Sequence, residues 1–424
     1  MKKKIFLFLI LTFVCFFFNY FIHYTTSDEI WSYGFSYNIA KGAIPYKDFN
    51  MVVLPLYSLL MAIPLRIIAN KLIIYHLFNA ILTSFIIMFV ADKNKLLSIC
   101  LILYCLTLPC LYGYNQFIML IVLLILYIEK SSFKYKEEII GILLGCILAT
   151  KQNIGIVLFI PYILHSKKKI KSIIYYLIPI TVICIYLIFN NALFECIDYC
   201  FLGLSNFTPN LIINQWSLVG ELAIVIYLIM IYRKTKDINY LYLLFFQIVN
   251  YPLFEEYHFI ISSIPVLYYF VIKQNNIYVY IIFIFLAIFM ITTRILSEGI
   301  YNSKLDSFKH RNLGLNIDNN INEVTKFIKK NTDKELFIFN RYSYLIKINL
   351  NQELNKYDLI NKGNMGNDEN KYIREIDNIC KNKKCVFIMD KKDFKNDQLN
   401  DLIKDYVIDN YKECSSQQIS YYCN

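Results

Sequence analysis

Long apolar runs broken by short polar ones organise most of this chain. It opens with MKKKIFLFLILTFVCFFFNYF, a basic start followed by apolar residues from about 5 to 22, and no small-residue cleavage site follows. That pattern predicts an uncleaved helical anchor with a cytoplasmic N-terminus. Further apolar segments fall near residues 51–69, 71–91, 96–111, 116–129, 138–150, 153–165, 172–190, 211–232, 238–254, 259–272 and 276–296. From residue 300 onward Asn, Lys and Asp become frequent, and the apolar runs shorten to LFIF (336–339) and CVFIMD (385–390). A helix near 320–330, a strand at ELFIFN, a helix near 369–381, a strand at KCVFIMD and a helix near 395–405 alternate there, as a small α/β domain requires. The expected fold is an α-helical polytopic membrane protein with about 11–13 transmembrane helices over residues 1–299. A small extracytoplasmic α/β domain over 300–424 completes it.

Basic clusters set the expected sidedness. DKNK (92–95), FKYK (133–136), HSKKKIK (165–171), RKTK (233–236) and Lys273 should be cytoplasmic, together with Lys2, Lys3 and Lys4. Each successive pair must then be separated by two crossings, and from residue 92 onward the alternation holds throughout. It places YGYNQ (112–116), Lys151, the loop 191–210, FEEYH (254–258) and everything beyond 297 outside. Before residue 92 an odd number of segments separates two cytoplasmic clusters. The short segment 51–69, with Pro55 and Pro64, is the one expected to be re-entrant or to lie along the membrane.

Composition agrees: 57% of the 424 residues are hydrophobic and 17% aromatic, beyond the soluble globular norm. The net charge of +11 lies largely in short loops rather than on a soluble basic face with interleaved aromatics, which excludes a nucleic-acid partner. Eight of the twelve cysteines precede residue 201 and read as small apolar residues of buried helices. Cys380, Cys385, Cys414 and Cys423 lie in the polar C-terminal part, where export would allow pairing, Cys414 with Cys423 across a hairpin for instance.

Three polar constellations interrupt the apolar pattern. In the first external loop (24–50), Thr26 and Glu29 fit a capping box, and Trp31, Phe35 and Ile39 form a stripe. Gly42 then sits where a helix stops, and Pro45 follows. This predicts an amphipathic helix on the membrane surface, with Asp28 and Glu29 at its start. Lys151 and Gln152 lie between two apolar stretches of about 13 residues, each rising about 20 Å against a hydrocarbon core of about 30 Å. A hairpin that short leaves an ammonium within the membrane, where it costs about 2.5 kcal/mol or more unless paired. At the third, Glu255, Glu256, Tyr257 and His258 head a late apolar helix, and Arg294 anchors the end of the last span.

The order of an anchor, an acidic DE, KGAIPYKDFNMVVLPLY, TKQNIG, EYHFIISSIP and a polar C-terminal domain resembles the GT-C superfamily of polytopic glycosyltransferases. More narrowly, it is similar to the branch of protein O-mannosyltransferases and the lipid A aminoarabinose transferase. The resemblance implies inverting transfer of a sugar from a polyprenyl-phosphate donor to an envelope glycan, lipid or protein acceptor at the external face. Asp28 then matches the acidic general base, with Glu29 its neighbour. Lys151, with Gln152, matches the lysine near the carrier phosphate, while Glu256, Tyr257 and His258 match the donor side. Asp48 takes a substrate-contacting or loop-ordering role. Asn115 stands where many relatives carry an acid, which leaves the use of a divalent cation (Mg or Mn) open.

The chemistry such a donor needs is a base on one side of the anomeric carbon and a cation beside the phosphate on the other. A sugar-nucleotide donor would call for a cytoplasmic nucleotide-binding fold, and the cytoplasmic loops are too short for one. The alternatives are a lipid-linked glycan transporter or polymerase and a non-catalytic envelope membrane protein. A transporter predicts internal duplication, which the sequence lacks, whereas a polymerase shares the topology.

Overall fold

The computed structural model describes residues 2–21, 27–92, 94–108, 112–203, 214–251, 253–274, 277–298, 326, 328–329, 334–339, 343–358, 365–390, 401–416 and 419–423. The chain is mostly helical. Helices α1 (Lys2–Phe21), α2 (Ser27–Lys41), α3 (Leu56–Ile67), α4 (Leu72–Val90), α5 (Lys95–Cys105), α6 (Tyr114–Lys130) and α7 (Lys136–Leu148) come first. Then follow α8 (Gln152–His165), α9 (Lys169–Phe189), α10 (Leu193–Ile197), α11 (Gln215–Thr235), α12 (Ile238–Phe246), α13 (Glu256–Gln274) and α14 (Ile277–Glu298). A π segment (Asp198–Leu202) continues α10, and a 3₁₀ turn (Gln247–Asn250) continues α12. The C-terminal part reads β1 (Glu335–Phe339), α15 (Ser343–Asn349), α16 (Asn370–Asn382), β2 (Cys385–Asp390), α17 (Asp401–Asn410), β3 (Lys412–Ser416) and β4 (Ile419–Cys423). The helix expected near 320–330 falls mostly outside the described residues.

Contacts divide the chain into two compact units, each assembled from separate stretches. One holds Met1–Glu29, Leu72–Ile183 and Pro209–Leu305, and the other Ile30–Lys71, Cys184–Thr208 and Asp306–Asn424.

In the first unit α1 packs on α4, α4 on α6, and α6 on both α7 and α13, while α12 packs on α8 and α11. Among the described residues, α4, α9 and α11 are long and apolar enough to cross a membrane. The last two expose whole apolar faces, Ile174, Ile178 and Val182 on α9 and Trp216, Val219, Leu222, Ile226 and Met230 on α11. The shorter α5, α8 and α12 are apolar as well.

Two contacts join connections that the sequence assigns to one side, and a third lies within the α6–α7 connection. Lys273 Nζ lies 3.0 Å from Asp237 Oδ2, Asn94 donates to Tyr280 Oη at 2.7 Å, and Lys136 lies 3.4 Å from Glu129. Burial pushes the Asp237 carboxyl up, but hydrogen bonds from Tyr269, Lys273 and Asn239 outweigh it and hold the group below the usual carboxylate range. A depressed folded pKa contributes stability that is present above the ordinary value of 3.8 and lost as pH falls through the folded one. Asp237→Asn should therefore melt below the wild type at pH 7, and the gap should close as the pH drops under 3.8. Melting curves across that range check it, and a gap that persists in acid would remove the assignment.

In the second unit, α2 stops as its sequence requires. Gly42 takes φ +103°, its N–H donates to the Ile39 carbonyl and that of Ala43 to the Asn38 carbonyl, the paired bonds of a glycine-terminated helix. The expected surface position of α2 is corrected, however: Ser32, Tyr33, Phe35, Ser36, Tyr37 and Asn38 are all buried. Phe35 stacks against Phe49 and meets Tyr344 edge-on, and Asn38 exchanges two hydrogen bonds of 3.0 Å with the Leu354 backbone. Apolar and polar partners surround α2, so the Trp31, Phe35, Ile39 stripe does not mark a membrane-facing side.

The same unit carries the four-stranded sheet, ordered β1-β2-β4-β3, with β1 parallel to β2 and the other pairs antiparallel. Phe337 stacks on Phe387 at 5.0 Å across the parallel pair. Lys347 and Asp358 form a buried ion pair at 2.7 Å, and Cys380 is disulfide-bonded to Cys385. In the β3–β4 hairpin Lys412 stands opposite Cys423, and a register shift between Glu413 and Ser415 takes Cys414 out of the ladder.

Candidate functional site

Asp28 lies in the first turn of α2; its side chain, like Thr26 and the side chain of Arg294, lies outside the described residues. Glu29 is 1% exposed, and its Oε1 lies 2.5 Å from Nε2 of His76. Expected at a helix start, this carboxylate thus makes a tertiary contact as well. His76 belongs to a polar stripe on α4, with Asn79 and Thr83 three and seven residues on, all buried in an apolar helix.

The start of α6, with Tyr112 just before it, serves several partners. The Tyr112 ring lies 5.5 Å from that of His76, and its hydroxyl donates to the Cys15 carbonyl at 3.1 Å. Gln116 donates to Thr83 Oγ1 at 2.7 Å. Between them, Asn115 Oδ1 accepts from Lys151 Nζ at 3.0 Å, and the ammonium lies 5.5 Å from the Tyr114 ring. Asn115 therefore holds the lysine ammonium through its amide oxygen. Residues 112–116 run into the first turn of α6 and contact His76 through Tyr112 and Lys151 through Asn115.

Lys151 itself caps α8 in extended backbone between helices of 13 and 14 residues, as the hairpin reading requires. Gly155 lets α8 lie against the Leu148 backbone, where any Cβ would clash. Lys151 is half-buried, and Gln152, the first residue of α8, is buried.

At the head of α13, Tyr257 and His258 are buried with their rings edge-on at 5.1 Å, whereas Glu256 is exposed. Glu255 is the carboxylate that approaches His258, its Oε1 lying 3.0 Å from Nδ1 but off the line of a hydrogen bond. Asp48 belongs to the second unit. It is exposed, and its carboxylate accepts from Ile44 N at 2.7 Å while its own N–H donates to the Ile44 carbonyl, so it orders the turn before Phe49.

Sequence reading passed over His76, Thr83, Gln116 and a buried carboxylate on α11, Glu221. Each is a polar residue inside an apolar helix, the signal that marks function within membranes. Among the described residues no three His, Cys, Asp or Glu side chains group as metal ligands. No family model matches the chain, and no curated protein matches it.

Proposed function

We propose that the protein is an integral membrane glycosyltransferase that moves a sugar from a polyprenyl-phosphate donor to a hydroxyl or amine acceptor of the cell envelope, with inversion. The observation that supports this reading is the stretch 112–116, which touches His76 of the buried carboxylate–imidazole pair through Tyr112 and the Lys151 ammonium through Asn115. Asp28, next to Glu29, takes the acceptor proton as the acceptor oxygen or nitrogen bonds to the anomeric carbon. The bond from that carbon to the phosphate oxygen breaks, and Lys151 neutralises the charge that develops on the departing polyprenyl phosphate. Tyr257 and His258 flank the donor sugar, and Asp48 orders its loop in the other unit. The Glu29–His76 pair positions the first turn of α2.

The exposed apolar faces of α9 and α11 support a lipid surround, because water disfavours contiguous apolar patches of that extent. About eleven crossings then account for the contacts between the connections of α11–α12 and α13–α14 and between those of α4–α5 and α13–α14, with the N-terminus cytoplasmic and the C-terminal part external. At 12 residues α3 is too short to cross, as a re-entrant segment would be. The Cys380–Cys385 disulfide supports an oxidising compartment for its domain.

The test uses the purified protein in lipid nanodiscs with a panel of polyprenyl-phosphate sugars and an envelope extract as acceptor. Release of polyprenyl phosphate coupled to labelled product is the expected result. Transfer from sugar nucleotides alone, or transport of intact lipid-linked glycan without bond cleavage, would overturn it.

A further inference from the structure

A second polar cluster lies in the first unit, apart from the turn 112–116. Glu221 stands on α11 about 9 Å along the axis from the helix start, in the otherwise apolar run ELAIVIYLIM, and is 5% exposed. Two side chains face its Oε2: Asn250 Nδ2 donates at 2.6 Å, and Ser262 Oγ, whose single proton also faces the Phe259 carbonyl at 3.0 Å, lies at 3.4 Å. Both donors are neutral, and among the described residues no Lys, Arg or His pairs with it. A bare carboxylate in such surroundings is unfavourable, so the site must gain either a proton or a counter-ion.

The neighbouring amides decide between these. Asn250 Nδ2 also faces the Gln247 carbonyl at 3.2 Å, and Gln247 Nε2 faces the carbonyls of Leu243 at 2.9 Å and Ser262 at 3.5 Å. Each amide nitrogen therefore meets two acceptors, which fixes both side-chain orientations. As a result Asn250 Oδ1 and Gln247 Oε1 are buried without a hydrogen-bond partner. A proton on Glu221 supplies one donor and answers at most one of them. A hard cation answers both and the carboxylate charge together, because oxygen ligands of this kind are what such ions take. One negative charge among neutral oxygens balances a single positive charge.

We propose that Glu221, Asn250, Gln247 and Ser262 form a binding site for one alkali cation of the Na⁺ class, tying α11 to α13 and to the 3₁₀ turn between α12 and α13. The site stands independently of the glycosyl-transfer reading, and its test needs no sugar substrate. The purified full-length protein in detergent is assayed for ²²Na⁺ binding by scintillation proximity. Its melting midpoint is compared in NaCl and choline chloride at equal ionic strength. Saturable binding of one ion per chain and a midpoint raised by about 3–5 °C in Na⁺ are expected. Glu221→Gln and, separately, Gln247→Leu should each lose both effects; if one variant fails to fold, the other and the wild-type binding curve decide. Absence of saturable ²²Na⁺ binding, or a full Na⁺ shift retained in a folded Glu221→Gln protein, overturns the proposal. So does a wild-type midpoint that ignores Na⁺ and rises only on acidification, which would mean a protonated carboxyl alone.

Discussion

Asp28→Asn should lower sugar transfer by about 10²–10⁴-fold, the range a general base supplies, while leaving the melting temperature unchanged. The amide keeps the size of the carboxylate and removes only its capacity to take the acceptor proton. Glu29 and His76 keep their own contact in this variant, so the fold around the first turn of α2 is retained. In the proposed reaction Lys151→Met acts on the other half and should lower kcat by about 10²–10³-fold, because it would remove charge stabilisation that matters most as the phosphate departs. Steady-state kinetics separate the two roles. The base variant should show a flattened acidic limb in its pH–rate profile; the lysine variant should lose less with a donor whose leaving group is more acidic. Wild-type rates in Asp28→Asn would remove the base from the mechanism, and a purely KM effect in Lys151→Met would reduce that residue to a binding role.

Lys347→Met should destabilise the second unit by about 3–5 kcal/mol at neutral pH, since it strips the partner from a buried carboxylate. Nζ of Lys347 reaches Asp358 Oδ1 at 2.7 Å and Oδ2 at 2.8 Å, and the two side chains are 6% and 1% exposed. Burial pushes the Asp358 carboxyl up, against the pull of Lys347 and of the Asn355 N–H. A carboxyl whose folded pKa is raised holds its proton more tightly when folded. Its contribution to stability is therefore greatest at low pH and is lost as pH rises above 3.8 through the folded value. Without Lys347 that window extends upward, so the variant should lose least near pH 4 and most near pH 7. Melting at several pH values tests the sign, and Asp358→Asn in the same chain should recover much of the loss. A deficit that does not vary with pH would show that Lys347 acts only through its packing.

Several elements were legible because their signals are local. Gly42 ends α2 where the sequence places it, and the lengths on either side of Lys151 define the hairpin before any coordinates are known. ELFIFN and KCVFIMD read directly as β1 and β2 and the pattern near 369–381 as α16, whereas α15 and the antiparallel β3 and β4 carried no such signal. What the sequence hid is long-range. The burial of α2 depends on Phe49, Tyr344 and Leu354, residues up to 316 positions away. The partner of Glu29 is a histidine 47 residues on, in a run otherwise read as a plain apolar segment. Periodicity reports which side of a helix is apolar, and it is silent about which polar residues of separate helices face each other.

The stripe of His76, Asn79 and Thr83 bears on how α4 is set in place. Apolar residues of several shapes, Leu, Ile, Phe, Met and Val, cover most of that helix, and their pattern alone leaves its rotation about its own axis weakly specified. A turn of about 100°, one residue's worth, would carry His76 off Glu29 and Thr83 off Gln116 together. Polar keying thus adds to packing in fixing the azimuth of α4, and a substitution at His76 or Thr83 bears on the rotation of the whole helix.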